Sequence, residues 1–310
     1  MNTQGLTSRA IIGSFYNRLN QETGAKWVNA VSNYFTSDQE SETYRWIGQI
    51  PSMREWIGGR KAKGFTVNGL TISNKHFEST IEVSTDDLRR DKTGQIIVRI
   101  QELADRTNSH WAQILSKLIL SGESTPCYDG QYFFDNNHKE GDSGVQSNII
   151  SYHTKDGHTI TVEEFRESLL QGIGQILSLK DNQGEPMNEN SSKFVVMVPT
   201  CYWHIAKSAI SVPLSYGGGT NPIKVMDDMD IYVVQNPRLT WDSQFVIFRT
   251  DAVTKPFIRQ EEKKVVLKVI AEGSELEYKE NKHSYGVDSW RNVGYGFWQY
   301  ACLVKVNENN

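Results

Sequence analysis

The sequence predicts an α+β fold built around one long helix. Apolar residues keep a helical period from 94 to 121, which is longer than most helices of globular proteins. Alternating strands precede this helix, and short helices and strands follow it over 161–255. Residues 1–56 carry too few apolar groups to form a core of their own. We therefore expect an N-terminal arm that packs against something else.

The strands before the helix fall within 57–88. Asn68-Gly69 stands between two short apolar runs, and this dipeptide supplies the positive φ values that a two-residue hairpin turn needs. From Phe77 onward, apolar and polar residues alternate as in a strand with one buried face. Because an isolated ribbon is only marginally stable in water, we expect it to lie on the rest of the chain or on another copy.

The second half of the chain predicts a compact unit of helices and strands. Thr161 and Glu164 have the spacing of a capping box, so a helix should begin there. Apolar runs then predict strands at Phe194–Val198, Ile223–Met226, Ile231–Val234, Phe245–Arg249 and Val265–Ile270. The charged segment Glu272–Lys282 is interpreted as a solvated turn or hairpin tip, and the aromatic tail as strands packed on the core.

Composition excludes several classes of protein. Aromatic residues make up 11% of the chain, which is more than a disordered protein carries. There are 33 basic and 37 acidic residues and a net charge of −4, which disfavours DNA or RNA binding by phosphate neutralisation. No apolar run approaches the length of a membrane span, and no secretory signal is visible at the start. We expect no membrane contact.

No motif for catalysis or for a cofactor is found. Gly172 and Gly174 lack the third glycine of a dinucleotide fingerprint and are interpreted as close helix packing. Gly217–Gly219 lacks the Lys-Ser/Thr pair of a phosphate loop. The three scattered cysteines, Cys127, Cys201 and Cys302, are interpreted as reduced thiols. We predict no catalytic residue, no cofactor and no enzyme activity.

The nearest approach to a metal site is a group of acidic residues and histidines after the long helix. Its members are Asp129, Asp135, His138, Asp142, His153 and His158. The calcium-loop template fails because Lys139 and Glu140 occupy positions that need an oxygen ligand and a glycine. We interpret the group as side chains that brace a loop. A metal-dependent hydrolase using Asp135, His138, His153 or His158 remains an alternative.

Four sequence blocks, in order, resemble those of Mu-like phage major head subunits. They are ETYRWIG from Glu42, PSMREWIGGR from Pro51, ISNKHFESTIEV from Ile72 and CYDGQYFFD from Cys127. The resemblance implies the Hong Kong 97-like coat fold. In this sequence that fold would divide into an arm at 1–56, an extended E-loop at 57–88, a peripheral domain with a spine helix at 89–160, an axial domain at 161–255, and strands that return to the peripheral domain at 256–310.

The resemblance also implies a function in assembly. The chain would form hexamers and pentamers of an icosahedral shell around the double-stranded DNA of a tailed phage or prophage. It would assemble in the bacterial host cytoplasm, with a portal and a maturation protease as further partners and only non-specific DNA contact. Since no long charged helix precedes the ribbon, we expect a separate scaffolding protein. A nanocompartment shell of the same fold, enclosing an enzyme cargo, is a second alternative.

Four ribbon residues are the candidates for contacts between copies. Aromatic residues and arginine dominate the energetics of protein interfaces. The candidates on this basis are Trp56, Arg60, Phe65 and Phe77.

Overall fold

The computed structural model describes residues 7–45, 69–91, 93–155, 159–211, 220–226 and 228–307. Within these ranges the strands form a four-stranded sheet, a five-stranded sheet and a two-stranded sheet. The helices are α1 (Ser8–Leu19), α2 (Trp27–Val31), α3 (Thr85–Arg90), α4 (Gln95–Leu120), α5 (Val162–Ser178), α6 (Trp203–Ser211), α7 (Pro222–Val225) and α8 (Glu275–Glu280). The strands are β1 (Ser32–Thr36), β2 (Ser41–Tyr44), β3 (Leu70–Ser73), β4 (Lys75–Ser84), β5 (Ile149–His153), β6 (Lys193–Val198), β7 (Asp230–Gln235), β8 (Gln244–Arg249), β9 (Phe257–Ile270), β10 (Lys282–Tyr295) and β11 (Ala301–Asn307).

The long helix predicted at 94–121 is confirmed as α4. It has 26 residues, which corresponds to a length of about 39 Å at the usual rise per residue. Its start is set by Gly94, whose positive φ ends the preceding turn, and by the Asp91 carboxylate, which accepts the backbone N–H groups of Gln95 and Ile96. The helix ends before Gly122, whose Cα lies against the Phe134 ring.

The four-stranded sheet has the order β1-β9-β10-β4. Strands β9 and β10, each 14 residues long, form its centre as an antiparallel pair. The N-terminal half of α4 packs on one face of this sheet through Ile100 and Leu103, which meet Tyr285 and Val287 of β10 in one buried cluster. Strand β4, predicted from its alternating pattern, pairs with β10 over ten residues and leaves its other edge open among the described strands.

The N-terminal arm is partly buried within its own chain. Ile11 and Phe15 of α1 are fully buried in the same cluster as α4. The guanidinium of Arg18 donates to both oxygens of Asp105 on α4, at 2.7 and 2.8 Å. For α1, the element against which the arm packs is α4 of the same chain, whose apolar face also covers the sheet.

The five-stranded sheet has the order β5-β11-β8-β6-β7, with α5 against one face. The predicted capping box is confirmed, since Thr161 and Glu164 exchange side-chain and backbone hydrogen bonds at the start of α5. The tail divides between the sheets: β9 and β10 join the four-stranded sheet, whereas β11 lies between β5 and β8. All of 256–310 was predicted to return to the peripheral domain, whereas β11 lies in the five-stranded sheet. The limits of the domains remain a prediction.

One local prediction is wrong, and another is confirmed with an added helix. The strand predicted at Ile223–Met226 is the short helix α7, because the Asn221 side chain caps it and Pro222 occupies its first position. The charged segment Glu272–Lys282 lies at the tip of the antiparallel β9–β10 hairpin, as predicted, and it also contains the short helix α8, which has no buried residue and which the Ser274 hydroxyl caps. In both places a capping residue directly precedes a short helix.

The predicted ribbon is described only in part. Strand β3 pairs with β2 in an antiparallel sheet, and these two strands flank the segment 46–68. The turn at Asn68 and the glycine run Gly217–Gly219 lie outside the described residues. Among the helices that the structure places, none is both long and apolar enough to cross a bilayer.

The two glycines of α5 provide a matched test of helix packing. A Cβ at Gly172 would lie 2.5 Å from Ile247 Cδ1 and 3.1 Å from Val304 Cγ2, whereas a Cβ at Gly174 would meet nothing within 4 Å. We expect Gly174→Ala to raise the free energy of unfolding by about 0.5–1 kcal/mol, because alanine favours the helix. We expect Gly172→Ala to lower it by about 1–3 kcal/mol through overpacking.

Chemical denaturation of the unassembled subunit measures both variants. Equal effects of the two substitutions would contradict the interpretation of Gly172 as a packing position.

Candidate functional site

Only one of the four candidate contact residues lies in the described part of the chain. Trp56, Arg60 and Phe65 fall within 46–68, outside the described residues. Phe77 lies on β4 and is half-buried. Its ring meets the His110 ring of α4 edge-on, with 4.4 Å between the ring centroids. The candidate therefore already has one partner within its own chain.

Phe77 and His110 lie at a groove between α4 and the strands β4 and β10. The groove has a volume of about 500 Å³. Leu103 and Val287 give it apolar walls. Its remaining lining is mostly polar and includes three arginines, Arg106 from α4, Arg238 from the loop after β7, and Arg291 from β10, with Glu78 as the acidic residue.

Arg291 is buried at the groove, with only 2% of its surface exposed. Its Nε donates to Ser289 Oγ at 2.9 Å and lies 3.8 Å from the Glu261 carboxylate. The guanidinium lies over the Trp111 ring, 4.8 Å from the ring centroid. Burial lowers the pKa of Arg291, which shows that its environment disfavours the positive charge.

Arg259 is a second buried arginine beside the same ring, at 5.5 Å from the Trp111 centroid. It donates to Ser32 Oγ and to Asn29 Oδ1, and burial lowers its pKa as well. Glu261 is the nearby carboxylate, and it also accepts the Tyr34 hydroxyl. One carboxylate therefore compensates two buried guanidinium groups, and the region carries excess positive charge.

The surroundings of His110 disfavour its protonated form. Burial, followed by the charges of Arg291, Lys117 and Arg238, lowers its pKa to about 4. The imidazole is therefore neutral at pH 7, and the positive charge of the groove comes from its arginines. Arginines beside apolar walls are suited to binding a carboxylate that carries an apolar neighbour.

Of the residues proposed for a metal hydrolase, the three that the structure describes, Asp135, His138 and His153, do not form a group of metal ligands. Within the described ranges the structure assembles one group of three candidate metal ligands, Cys127, Asp129 and His138. Asp135 and His153 do not belong to this group, and His158 lies outside the described residues. Cys127 was not predicted to belong with Asp129 and His138, although it stands only two residues before Asp129 in the sequence.

Hydrogen bonds among the three side chains explain why Cys127, Asp129 and His138 lie together. Asp129 Oδ2 lies 2.6 Å from His138 Nδ1, and Asp129 Oδ1 accepts from Cys127 Sγ at 2.9 Å and from the Gln131 backbone N–H. Burial opposes the charge on Asp129, but these hydrogen bonds lower its pKa overall. Burial raises the pKa of Cys127, so its thiol is protonated and donates to Asp129. The contacts support the interpretation that this cluster braces its loop.

The cluster also anchors the loop to the tail of the chain. The His138 ring stacks on the Trp298 ring, with centroids 3.8 Å apart and an interplanar angle of 5°. Both side chains are fully buried. Nearby, Gln299 Nε2 donates to the Glu140 carboxylate at 3.3 Å. Burial is the largest cause that raises the pKa of Glu140, to about 7.

Comparison with known proteins assigns the chain to a family. A family model described as "Mu-like prophage major head subunit gpT" matches residues 8–161 and 226–310. Together these residues are more than half of the chain. The chain belongs to this gpT family. The resemblance of its four sequence blocks is thereby confirmed.

Two curated relatives of the gpT family match the chain. The major capsid protein of Escherichia phage Mu is 36% identical over 117 residues, which are 38% of this chain and 38% of the relative. The Mu-like prophage FluMu major head subunit of Haemophilus influenzae is 25% identical over 276 residues, which are 89% of this chain and 65% of the relative. The matched part of the chain thus spans less than two thirds of either relative.

Solved structures establish the fold. The procapsid of bacteriophage JBD30 matches with a TM-score of 0.56 and 24% identity, over 97% of this chain and 75% of that chain. The capsid of cyanophage P-SCSP1u matches with a TM-score of 0.58 and 11% identity, over 91% of this chain and 88% of that one. The gpT chain therefore has the Hong Kong 97-like capsid fold, as predicted.

Glu140 provides a pH test of the braced loop. Between its ordinary value of 4.5 and about 7, the folded chain holds a proton that the unfolded chain releases. Stability should therefore fall as the pH rises through this window. We expect Glu140→Gln to raise the free energy of unfolding at pH 8 by on the order of 1 kcal/mol, a discounted value since the carboxyl is partly exposed.

Thermal unfolding of the unassembled subunit at pH 5 and pH 8 measures this effect. The gain should be much smaller at pH 5, near the lower end of this window, where the folded wild-type chain is already protonated at Glu140. Glu185→Gln, at an exposed carboxyl of another loop, is the control. A gain of equal size at both pH values would argue against the titration of Glu140.

Proposed function

We propose that the chain is the major capsid protein of a Mu-like phage or prophage and forms the icosahedral shell that encloses double-stranded DNA. Membership of the gpT family carries this proposal, because the matched segments include the arm, β2–β4, the long helix and the tail. Copies would associate into hexamers and pentamers. This function is structural, so we propose no enzymatic activity and no cofactor.

The described residues offer surfaces suited to association. Strands β1 and β4 form the two edges of the four-stranded sheet, and each pairs on one side only among the described strands. An open edge is a template for pairing with another chain unless it is protected. Strands β2 and β3, which precede and follow the segment 46–68 in the sequence, pair with each other in the subunit.

Contacts between copies are proposed at Trp56, Arg60, Phe65 and Phe77. The support for Trp56 and Arg60 is their residue type and their position in the block that begins at Pro51, which resembles head subunits. The support for Phe65 is its residue type and its position in the predicted ribbon. The support for Phe77 is its half-buried ring at the edge strand β4, beside the groove. The ring contact with His110 holds Phe77 in place, so it can present a fixed apolar surface.

Further partners are proposed from the same family membership. They are a separate scaffolding protein, a portal and a maturation protease, with assembly in the bacterial host cytoplasm. The net charge of −4 supports only non-specific contact with the packaged DNA. The hydrolase alternative is not favoured, because its residues are not brought together. The nanocompartment alternative is not favoured, because the curated relatives are phage and prophage head proteins.

Co-production with a scaffolding protein tests the assembly proposal. We expect the chain alone to give irregular aggregates or open forms, and the chain with the scaffolding protein from the same head gene cluster to give uniform closed shells. Electron microscopy and light scattering measure the outcome. Uniform closed shells from the chain alone would contradict the scaffold requirement, and a compact monomer under all conditions would contradict the shell function.

The contents of the particle distinguish the phage shell from a nanocompartment. Particles isolated from a phage lysate should protect double-stranded DNA from added nuclease. Particles that protect an enzyme and no DNA would support the nanocompartment instead.

A further inference from the structure

The groove beside α4 has two arginines at its rim that form no ion pair among the described residues, while Glu78 is the acidic residue of its lining. Arg106 and Arg238 are exposed at its rim, and among the described residues neither has a carboxylate within 4 Å. Arg291 lies below them and shares Glu261 with Arg259. A subunit that stays alone would hydrate the rim arginines, but a partner that covers them must supply negative charge.

The shape of the groove favours a peptide segment over DNA. A volume of about 500 Å³ fits a few side chains. Phe77, Leu103 and Val287 supply apolar walls that suit a peptide but offer nothing to a phosphate backbone. Arg291, at 2% exposure, lies too deep for the broad convex surface of a duplex. The occupant should therefore be a polypeptide with a carboxylate next to an apolar side chain.

The charges of the chain's own segments indicate which of them could occupy the groove. The segment 46–68 carries Arg54, Arg60, Lys61 and Lys63 against Glu55, so it has the same sign as the groove. Other loops are acidic. The loop 181–190 has Asp181, Glu185 and Glu189 and no basic residue, and Glu185 and Glu189 are exposed. Each copy therefore has both a basic groove and carboxylate-bearing loops.

We propose that the groove lined by Phe77, Arg106, His110, Arg238 and Arg291 receives a carboxylate-bearing segment of a second copy of this chain. The proposal rests on the proposed shell function, in which copies repeat and one kind of contact recurs many times. The carboxylate would form charge-assisted hydrogen bonds with the rim arginines, and its apolar neighbour would lie against Phe77 and Leu103. The contact joins different surfaces of the two copies.

Charge reversal tests the electrostatic part. We expect Arg106→Glu with Arg238→Glu to reduce the assembled fraction at least about tenfold in cells that co-produce the scaffolding protein. The matched control is Arg99→Glu with Lys264→Glu, which changes the net charge equally at exposed positions outside the groove. Thermal unfolding of the unassembled subunits shows whether both variants fold.

The two variants separate this proposal from the shell function. Shells from the control but not from the groove variant support the groove as a contact. Shells from both variants overturn the groove proposal and leave the shell function intact. If the wild-type chain forms no shells, the shell function itself fails.

Photo-crosslinking identifies the occupant directly. Ser109 lies at the groove on α4 and is half-buried. With p-benzoylphenylalanine at this position, irradiation of assembled particles should give a covalent dimer of this chain, and mass spectrometry should map the partner to an acidic segment. A crosslink to 46–68, to another protein or to DNA, or the absence of any crosslinked dimer, would overturn the proposal.

Discussion

Burial of the apolar face of α4 is the constraint on which the rest of the fold depends. Its N-terminal half covers the four-stranded sheet, where Ile100 and Leu103 pack with β10. Its C-terminal half enters a second cluster, where Leu115 and Ile119 pack with residues of the five-stranded sheet such as Phe248. One helix thus contacts both sheets, and the sheets also meet directly beside it, where the Phe248 and Phe257 rings lie with centroids 5.3 Å apart.

The tail of the chain provides the second connection between the sheets. β10 ends at Tyr295 in the four-stranded sheet, and β11 begins at Ala301 in the five-stranded one. Trp298, in the short turn between them, is fully buried and stacks on His138. The loop that follows α4 is therefore tied to the point where the chain crosses between sheets. This explains why a loop with little regular structure carries so many buried polar contacts.

The features that the sequence predicted correctly depend on residues that are close together in the chain. The period of α4, the capping box at Thr161 and the alternation of β4 are local patterns, and each is confirmed. Pairings between distant segments were not predicted, because strand order requires knowledge of the whole sheet. The pairing of β2 with β3 and the place of β11 are of this kind. So is the groove, whose arginines at 106, 238 and 291 are far apart in sequence and meet only through the fold.

The charges around Trp111 show how such a subunit balances stability and association. Removing a guanidinium from water costs several kcal/mol unless a counter-charge and hydrogen bonds replace the lost hydration. Arg259 obtains two side-chain hydrogen bonds, and Arg291 obtains one together with Glu261 at 3.8 Å. The aromatic ring beneath them stabilises both charges further. This compensation is sufficient to hold the arginines in the core but not to neutralise the field that His110 experiences. The residual positive potential can be compensated only by water, by ions or by another chain. In the proposed shell, a neighbouring copy can supply this compensation where it contacts the groove.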